Sequence, residues 1–240
     1  MPEETAGLEH HLLRPTSAER AGRRFIAGRL GQTDVVMAFS RWGKVAAAST
    51  ATELLLSHGA DRIVFSGIAG AVSPLLNIGD VVVADHLYQH DLDASPFFPP
   101  TEVPLLGVRG IAADHRMSDQ LAAAAAAFLA DDRALAGAGL RGPLGGRPQV
   151  HRGDIASGDQ VISTTEARLR ILARVPSALC VEMEGAAVAQ VCLEHGIPFA
   201  CIRTISDAAD HGVVQGLADF LGGLAAAYTV GILTAWLKAG

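Results

Sequence analysis

The sequence predicts an α/β fold, a three-layer α/β/α sandwich around a mixed, mostly parallel central sheet, with residues 1–240 forming a single domain. Three observations predict it. Short apolar runs bounded by polar residues or glycine alternate with helical patterns, as they do when helices cross over between strands of a sheet. Half of the residues are hydrophobic and 18% are charged, enough apolar material for a sizeable core. No repeat of about 20–50 residues is visible, which excludes a stacked-repeat architecture.

The elements follow in order. DVVMAF (34–39) and DRIVFSG (61–67) read as buried strands, and KVAAASTATELLLSHG between them as a helix closed by Gly59. GDVVVAD (79–85) is a further strand. SDQLAAAAAAFLADDRALAG is a helix with Ser118 at its N-cap. VHRGDIASGDQVI holds one or two strands, and TTEARLRILARV is a helix stopped by Pro176. EGAAVAQVCLEHG is a helix, IPFACIRTISD a strand, and 217–238 the last helix. Two irregular stretches interrupt the alternation, 95–110 and 137–149. The second reads as a surface loop. The first carries Phe97, Phe98 and Leu105, and an apolar loop points to a partner or ligand.

Composition narrows the function. A net charge of −6 and an isoelectric point near 5.8 argue against a nucleic-acid partner. Cys180, Cys192 and Cys201 form no C-x-x-C pair, so a reducing cytoplasm is expected rather than a disulfide or zinc scaffold. MPEETAGLEHHLLRP lacks the apolar core of a signal peptide. The uncharged stretch after Asp219 is rich in Gly, Ala and Thr, and reads as a buried helix rather than a membrane span. Neither His10 and His11 nor His86, His90 and Asp91 have the spacing of a metal site, and no metal or organic cofactor is expected.

Three segments carry the candidate chemistry. SGIAGAV (66–72) brings glycines to a strand end, where a ligand can approach the main chain. VEMEGAAVAQV places Glu182 and Glu184 where an apolar strand passes into an apolar helix, a costly position for an unpartnered carboxylate. IRTISDAAD brings Arg203, Ser206 and Asp207 to the C-terminal end of a strand, where open α/β sheets bind ligands. By residue chemistry alone, a buried Glu–Arg ion pair and a ligand site are equally good readings.

The ordered set SGIAGAV, IGDVVVAD, QHDLDASPF, ASGDQVI, VEMEGAAVAQV and CIRTISDAAD resembles the 5′-methylthioadenosine/S-adenosylhomocysteine nucleosidases of the nucleoside phosphorylase superfamily. The resemblance runs the length of the chain, and VEME followed by R-x-I-S-D is its most specific part. It implies hydrolysis of the N-glycosidic bond with release of adenine, by a homodimer. It further implies that Glu4 activates the water, that Arg203 orients Glu4 and the water, and that Asp207, helped by Ser206, protonates the purine N7. Glu184 would hold the ribose hydroxyls, with Met183 against the sugar and Glu182 close by. Val161 and Ile162 would meet the purine edge through their backbone, and Gly70 would line the floor. Ala94 and Phe97 would reach a neighbouring subunit's 5′-pocket. Four features depart from the family pattern: no apolar strand precedes MPEE, and Ile68, Val161 and Trp42 stand at positions other members fill differently. They leave two alternatives, a relative acting on another nucleoside (a futalosine-type compound or an adenosyl lipid, with phosphate as a further nucleophile) and a binding protein without turnover.

The implied residues suit the chemistry. Cleavage builds positive charge on the ribose and negative charge on the departing purine. A protonated, desolvated Asp207 relieves the second and an ionised carboxylate the first, each acid–base group being worth roughly 10²–10⁴ in rate.

Overall fold

A computed structural model describes residues 7–137, 147–209 and 224–239. Nine strands and six helices are named within them: β1 Leu13–Arg20, β2 Arg23–Leu30, β3 Thr33–Ala38, α1 Lys44–His58, β4 Ile63–Ala71, β5 Val81–Gln89, β6 Gly110–Ala112, α2 His115–Ala130, α3 Asp132–Gly137, β7 Val150–Ser157, α4 Thr165–Arg174, β8 Ala178–Glu182, α5 Gly185–His195, β9 Phe199–Asp207 and α6 Leu224–Ala239.

The chain is α/β with helices on both faces of its main sheet, which is mixed as the sequence predicts but closes on itself instead of lying as the middle layer of a three-layer sandwich. Its order is β6-β5-β7-β8-β4-β9, and β5 also pairs with β9, so five strands close into a barrel-like ring with β6 outside it. Three pairings are parallel (β4–β9, β5–β7, β7–β8) and three antiparallel (β4–β8, β5–β9, β5–β6). The reason is local. β5 presents one edge to β7 over its full length and the opposite edge to β9 over Val81, Val82 and Val83. A strand apolar on both faces and paired on both edges reads in sequence only as a buried strand, and its neighbours are a tertiary choice.

Alternation along β5 and β9 divides the core. Val82, Ala84 and Cys201 face Ala47 and Ala51 of α1 and Ala186, Val188 and Ala189 of α5. Val81, Val83, Ala200 and Ile202 face Leu121 and Ala125 of α2 and Tyr228 and Ile232 of α6. The period of two in the strands thus feeds two helical layers. α4 lies on a third patch, Ile171 against Val72, Ala156 and Val181.

A separate antiparallel sheet, β1-β2-β3, has no counterpart among the predicted elements before residue 34. Ala21 and Gly22, both at positive φ (46° and 68°), make the two-residue turn between β1 and β2. All eight residues of β1 are exposed and Pro15 interrupts it, so no apolar alternation marks this edge strand.

Helix boundaries agree closely where a cap is written in the sequence. Gly59 and Gly196 close α1 and α5 in the left-handed conformation, and Thr164 caps α4. Ser118 is not a cap. Asp114 is, accepting from Met117 N at 2.8 Å, while Ser118 is buried and its Oγ donates to the Ala84 carbonyl. The helix read through residue 137 breaks at Asp131, whose backbone is extended. Of the last predicted helix, 217–223 lie outside the described residues. Among the described residues no helix is long and apolar enough to cross a membrane.

Leu121 is fully buried between α2 and the β5–β9 face. Leu121→Ala is expected to lower the free energy of unfolding by about 2–5 kcal/mol through lost burial and a residual cavity. Leu56→Ala, on the exposed side of α1, should change it by less than about 0.5 kcal/mol. Urea titration of the two variants checks both values.

Candidate active site

Register brings the polar residues of three strands together. Arg203 lies in β9 with Gly67 of β4 on one side and Val82 of β5 on the other. Near its end, β9 carries one extra residue: Ala69 stands opposite Ile205 but Gly70 opposite Asp207, so Ser206 is bulged. A bulge re-aims the side chains around it. Here Ser206 Oγ donates to Asp207 Oδ2 at 2.7 Å and the Ala209 amide to Oδ1 at 2.8 Å. Gly70 is required opposite, because a Cβ there would stand 2.8 Å from Asp207 Oδ1.

Glu182 ends β8 and is the most heavily engaged carboxylate. It accepts from the amides of Gly185 (2.8 and 2.9 Å) and Glu184 (3.1 Å), from Ser157 Oγ, and from the Arg203 guanidinium. Both members of this ion pair have side chains only 2% exposed. The guanidinium also lies over the Phe65 ring, 4.3 Å from its centroid. Burial works against the Arg203 charge, but Glu182 beside it more than compensates, and its pKa is raised. Gly67 is what admits the guanidinium, since a Cβ there would overlap Arg203 Nη1.

Glu184, two residues on, is differently placed. It precedes α5, accepts from the Gly43 amide at 2.9 Å, and stays 3.9 Å from Arg203 Nη2. Burial, and then repulsion by Glu182, push its pKa from an ordinary 4.5 up to about 7, against the pull of Arg203 and the amides of Gly43 and Met183. The buried Glu–Arg ion pair is therefore made by Glu182, while Glu184 lines the neighbouring cavity.

These groups face one cavity of about 160 Å³. Its lining contains Trp42, Gly70, Val161, Ile162, Glu182, Met183, Glu184, Arg203, Ser206 and Asp207, so ten of the thirteen site residues named from the sequence converge there. Ala94 and Phe97 are outside this lining, on the exposed loop after β5. Glu4 lies outside the described residues. Sequence reasoning missed Phe65, Ser157 and the Gly43 amide. Ser157 ends β7 within the ASGDQVI motif and Gly43 precedes α1, but their contacts with Glu182 and Glu184 span 25 and 141 residues and no spacing along the chain marks them. Among the described residues no cluster of three or more His, Cys, Asp or Glu is disposed to hold a metal.

Comparison with known proteins agrees with this geometry. The family model described as the phosphorylase superfamily matches residues 1–233. A 5′-methylthioadenosine/S-adenosylhomocysteine nucleosidase of Aeromonas salmonicida is 34% identical over 222 residues, 92% of this chain and 89% of the relative. Among solved structures, the nucleosidase of the same designation from Neisseria meningitidis, in complex with methylthio-immucillin-A, superposes with a TM-score of 0.88 at 27% identity, covering 100% of this chain and 96% of that one. Futalosine hydrolase of Helicobacter pylori superposes with a TM-score of 0.85 at 28% identity, covering 100% and 95%. The chain belongs to the phosphorylase superfamily and, within it, to the 5′-methylthioadenosine/S-adenosylhomocysteine nucleosidases.

Proposed function

We propose that this protein hydrolyses the N-glycosidic bond of 5′-methylthioadenosine and S-adenosylhomocysteine, releasing adenine. The observation that carries the reading is the placing of Asp207 and Glu184 on one cavity, the first on a bulged strand end and the second before a helix. The ribose lies on Glu184 and Met183, and the purine between Asp207 and the Val161–Ile162 backbone above Gly70. Asp207, held by Ser206 and the Ala209 amide, gives its proton to N7 as the bond lengthens, while ionised Glu184 steadies the positive ribose.

Arg203 and Glu182 act here by positioning. With Glu182 accepting from three protein donors besides Arg203, the pair holds the strand end and the turn into α5 at a set distance from the sugar. Glu4 is the proposed base for the attacking water, and Arg203 the group that orients it. Ala94 and Phe97 are proposed to complete the 5′-pocket of a second copy. Phe97 and Leu105 support this, being 86% and 91% exposed on one loop. The buried, free Cys180, Cys192 and Cys201 support a reducing, cytoplasmic setting.

Three outcomes test the reading. Adenine should appear from both nucleosides in phosphate-free buffer, with the ribose released carrying its 5-thio substituent intact and a free 1-hydroxyl, and Asp207→Asn should lose about 10²-fold or more in turnover with little change in nucleoside affinity. Chromatography of the products and stopped assays of the variant check this first outcome; a ribose 1-phosphate product would point to phosphorolysis instead.

The second outcome is a pH profile. Glu184 must be ionised to oppose ribose charge, so kcat/KM should rise with pH through about 7, and Glu184→Gln should remove that limb. Stability follows the opposite sign. A carboxyl whose folded pKa exceeds its ordinary 4.5 contributes fully below that value and loses its contribution as pH rises to about 7. Glu184→Gln should therefore raise the melting midpoint at pH 8 and leave it little changed at pH 4. The third outcome is sedimentation at micromolar concentration, which should give a dimer that Phe97→Asp weakens.

A further inference from the structure

Consecutive amides at the start of α1 tie two walls of the nucleoside cavity together. The Gly43 amide donates to Glu184, on the ribose side, and the Lys44 amide donates to Asp159 at 2.8 Å. Asp159 belongs to the turn after β7 that leads to Val161 and Ile162, on the purine side. The Lys44 side chain acts on the same two walls. Its Nζ donates to Asp91 at 2.7 Å and to Gln89 at 3.1 Å. Asp91 Oδ2 in turn accepts from the Asp159 amide at 2.9 Å. Gln89 donates to Gln190 of α5, the helix that Glu184 precedes, at 2.7 Å. His90 completes the grip on the purine turn. Its amide donates to the Ser157 carbonyl at 3.0 Å, and its ring fills the space a Cβ on Gly158 would need.

Neither Lys44 nor Asp91 lines the nucleoside cavity. Their side chains are nevertheless only 17% and 16% exposed. Burial works against the Asp91 charge, but Lys44 and the Asp159 amide outweigh it and lower its pKa. An ion pair so far out of water is a poor source of stability, because apolar side chains of similar volume would serve as well. What it supplies is direction. Each Asp91 oxygen has its own donor, Lys44 on Oδ1 and the Asp159 amide on Oδ2, so the carboxylate fixes a distance between α1 and the turn.

We infer that Lys44 and Asp91 are positioning residues whose ion pair sets the spacing between the purine turn and the ribose carboxylate Glu184. With that spacing held, the purine lies against Asp207 while the ribose lies on Glu184. A displacement of about 1 Å between two such groups can cost up to about 10²-fold in rate. This rests on the nucleosidase reading of the cavity and adds to it two residues that touch no substrate.

The test uses Lys44→Met, which keeps the stem and the backbone amide, Asp91→Asn, which keeps an acceptor for the Asp159 amide, and the double variant. In each single variant kcat/KM should fall about tenfold, by the same factor for 5′-methylthioadenosine and S-adenosylhomocysteine, the size of one charge-assisted bond. The double variant should be no more than about twofold worse than either, since the pair is already broken. If Lys44→Met fails to fold with Asp91 unpaired, the double variant, which leaves no charge alone, carries the comparison. Adenine by itself engages only the purine side, so titration calorimetry should find its affinity within about twofold of wild type in every variant. Adenine weakened as much as the nucleosides, additive losses, a loss confined to one nucleoside, or an unchanged kcat/KM would each overturn the inference. Were the wild-type protein to release no adenine, the nucleosidase reading itself would fail, and calorimetry with 5′-methylthioadenosine and adenine would decide the pair separately. Nucleoside affinity lost with adenine affinity kept would uphold it. Equal changes in both, no change, or no nucleoside binding by the wild type would sink it.

Discussion

The buried pair between Glu182 and Arg203 is the constraint on which the site depends. Its two side chains are almost entirely out of water, so either charge alone would be destabilising by about 3–5 kcal/mol. The structure meets that cost with an unusually complete set of partners. Two amides at the start of α5, the hydroxyl of Ser157 from β7 and the ring of Phe65 from β4 all converge on the pair. Strands β4, β7, β8 and β9 and the turn into α5 therefore take their relative positions from one interaction. The backbone complies too, with Gly67 vacating the space the guanidinium fills.

The same pair sets the chemistry of its neighbour. Glu184 is close enough to Glu182 to feel its charge, and the pull of Arg203, 3.9 Å away and already bonded to Glu182, only partly offsets it. Burial is the largest cause, and with it a carboxyl that ordinarily ionises near 4.5 is raised to about 7. Two glutamates separated by a single residue thus have different surroundings, one saturated by protein donors and the other held by the amides of Gly43 and Met183 at the edge of the cavity. The bulge at Ser206 plays the matching part on β9, turning a strand end into a supported carboxyl facing the same space.

Legibility in the sequence followed how local the signal was. Helices α1 and α5 end where a glycine can turn left-handed, and α4 begins at a threonine whose hydroxyl meets an amide three residues on; such signals lie within one turn of chain. The cap of α2 was misread because Ser118 and Asp114 are both competent, and burial under β5 recruited the serine elsewhere. The sheet of β1, β2 and β3 was unreadable because an exposed edge strand carries no apolar period. Closure of the main sheet was equally invisible, since Val81–Val83 would look the same with any neighbour.

What the sequence by itself determined is the class of fold, the alternation of its elements and the identity of half of the residues that line the cavity. Those properties reside in periodicity, in short-range caps, and in motifs such as VEME and RTISD whose residues are consecutive. Only the tertiary structure decided which glutamate pairs with Arg203, which faces the cavity, and that Lys44 and Asp91 pair beside the turn of Asp159. These are outcomes of register and of distances between segments from 21 to 141 residues apart. Coulombic and desolvation energies depend on separations of a few ångströms that no spacing along the chain encodes.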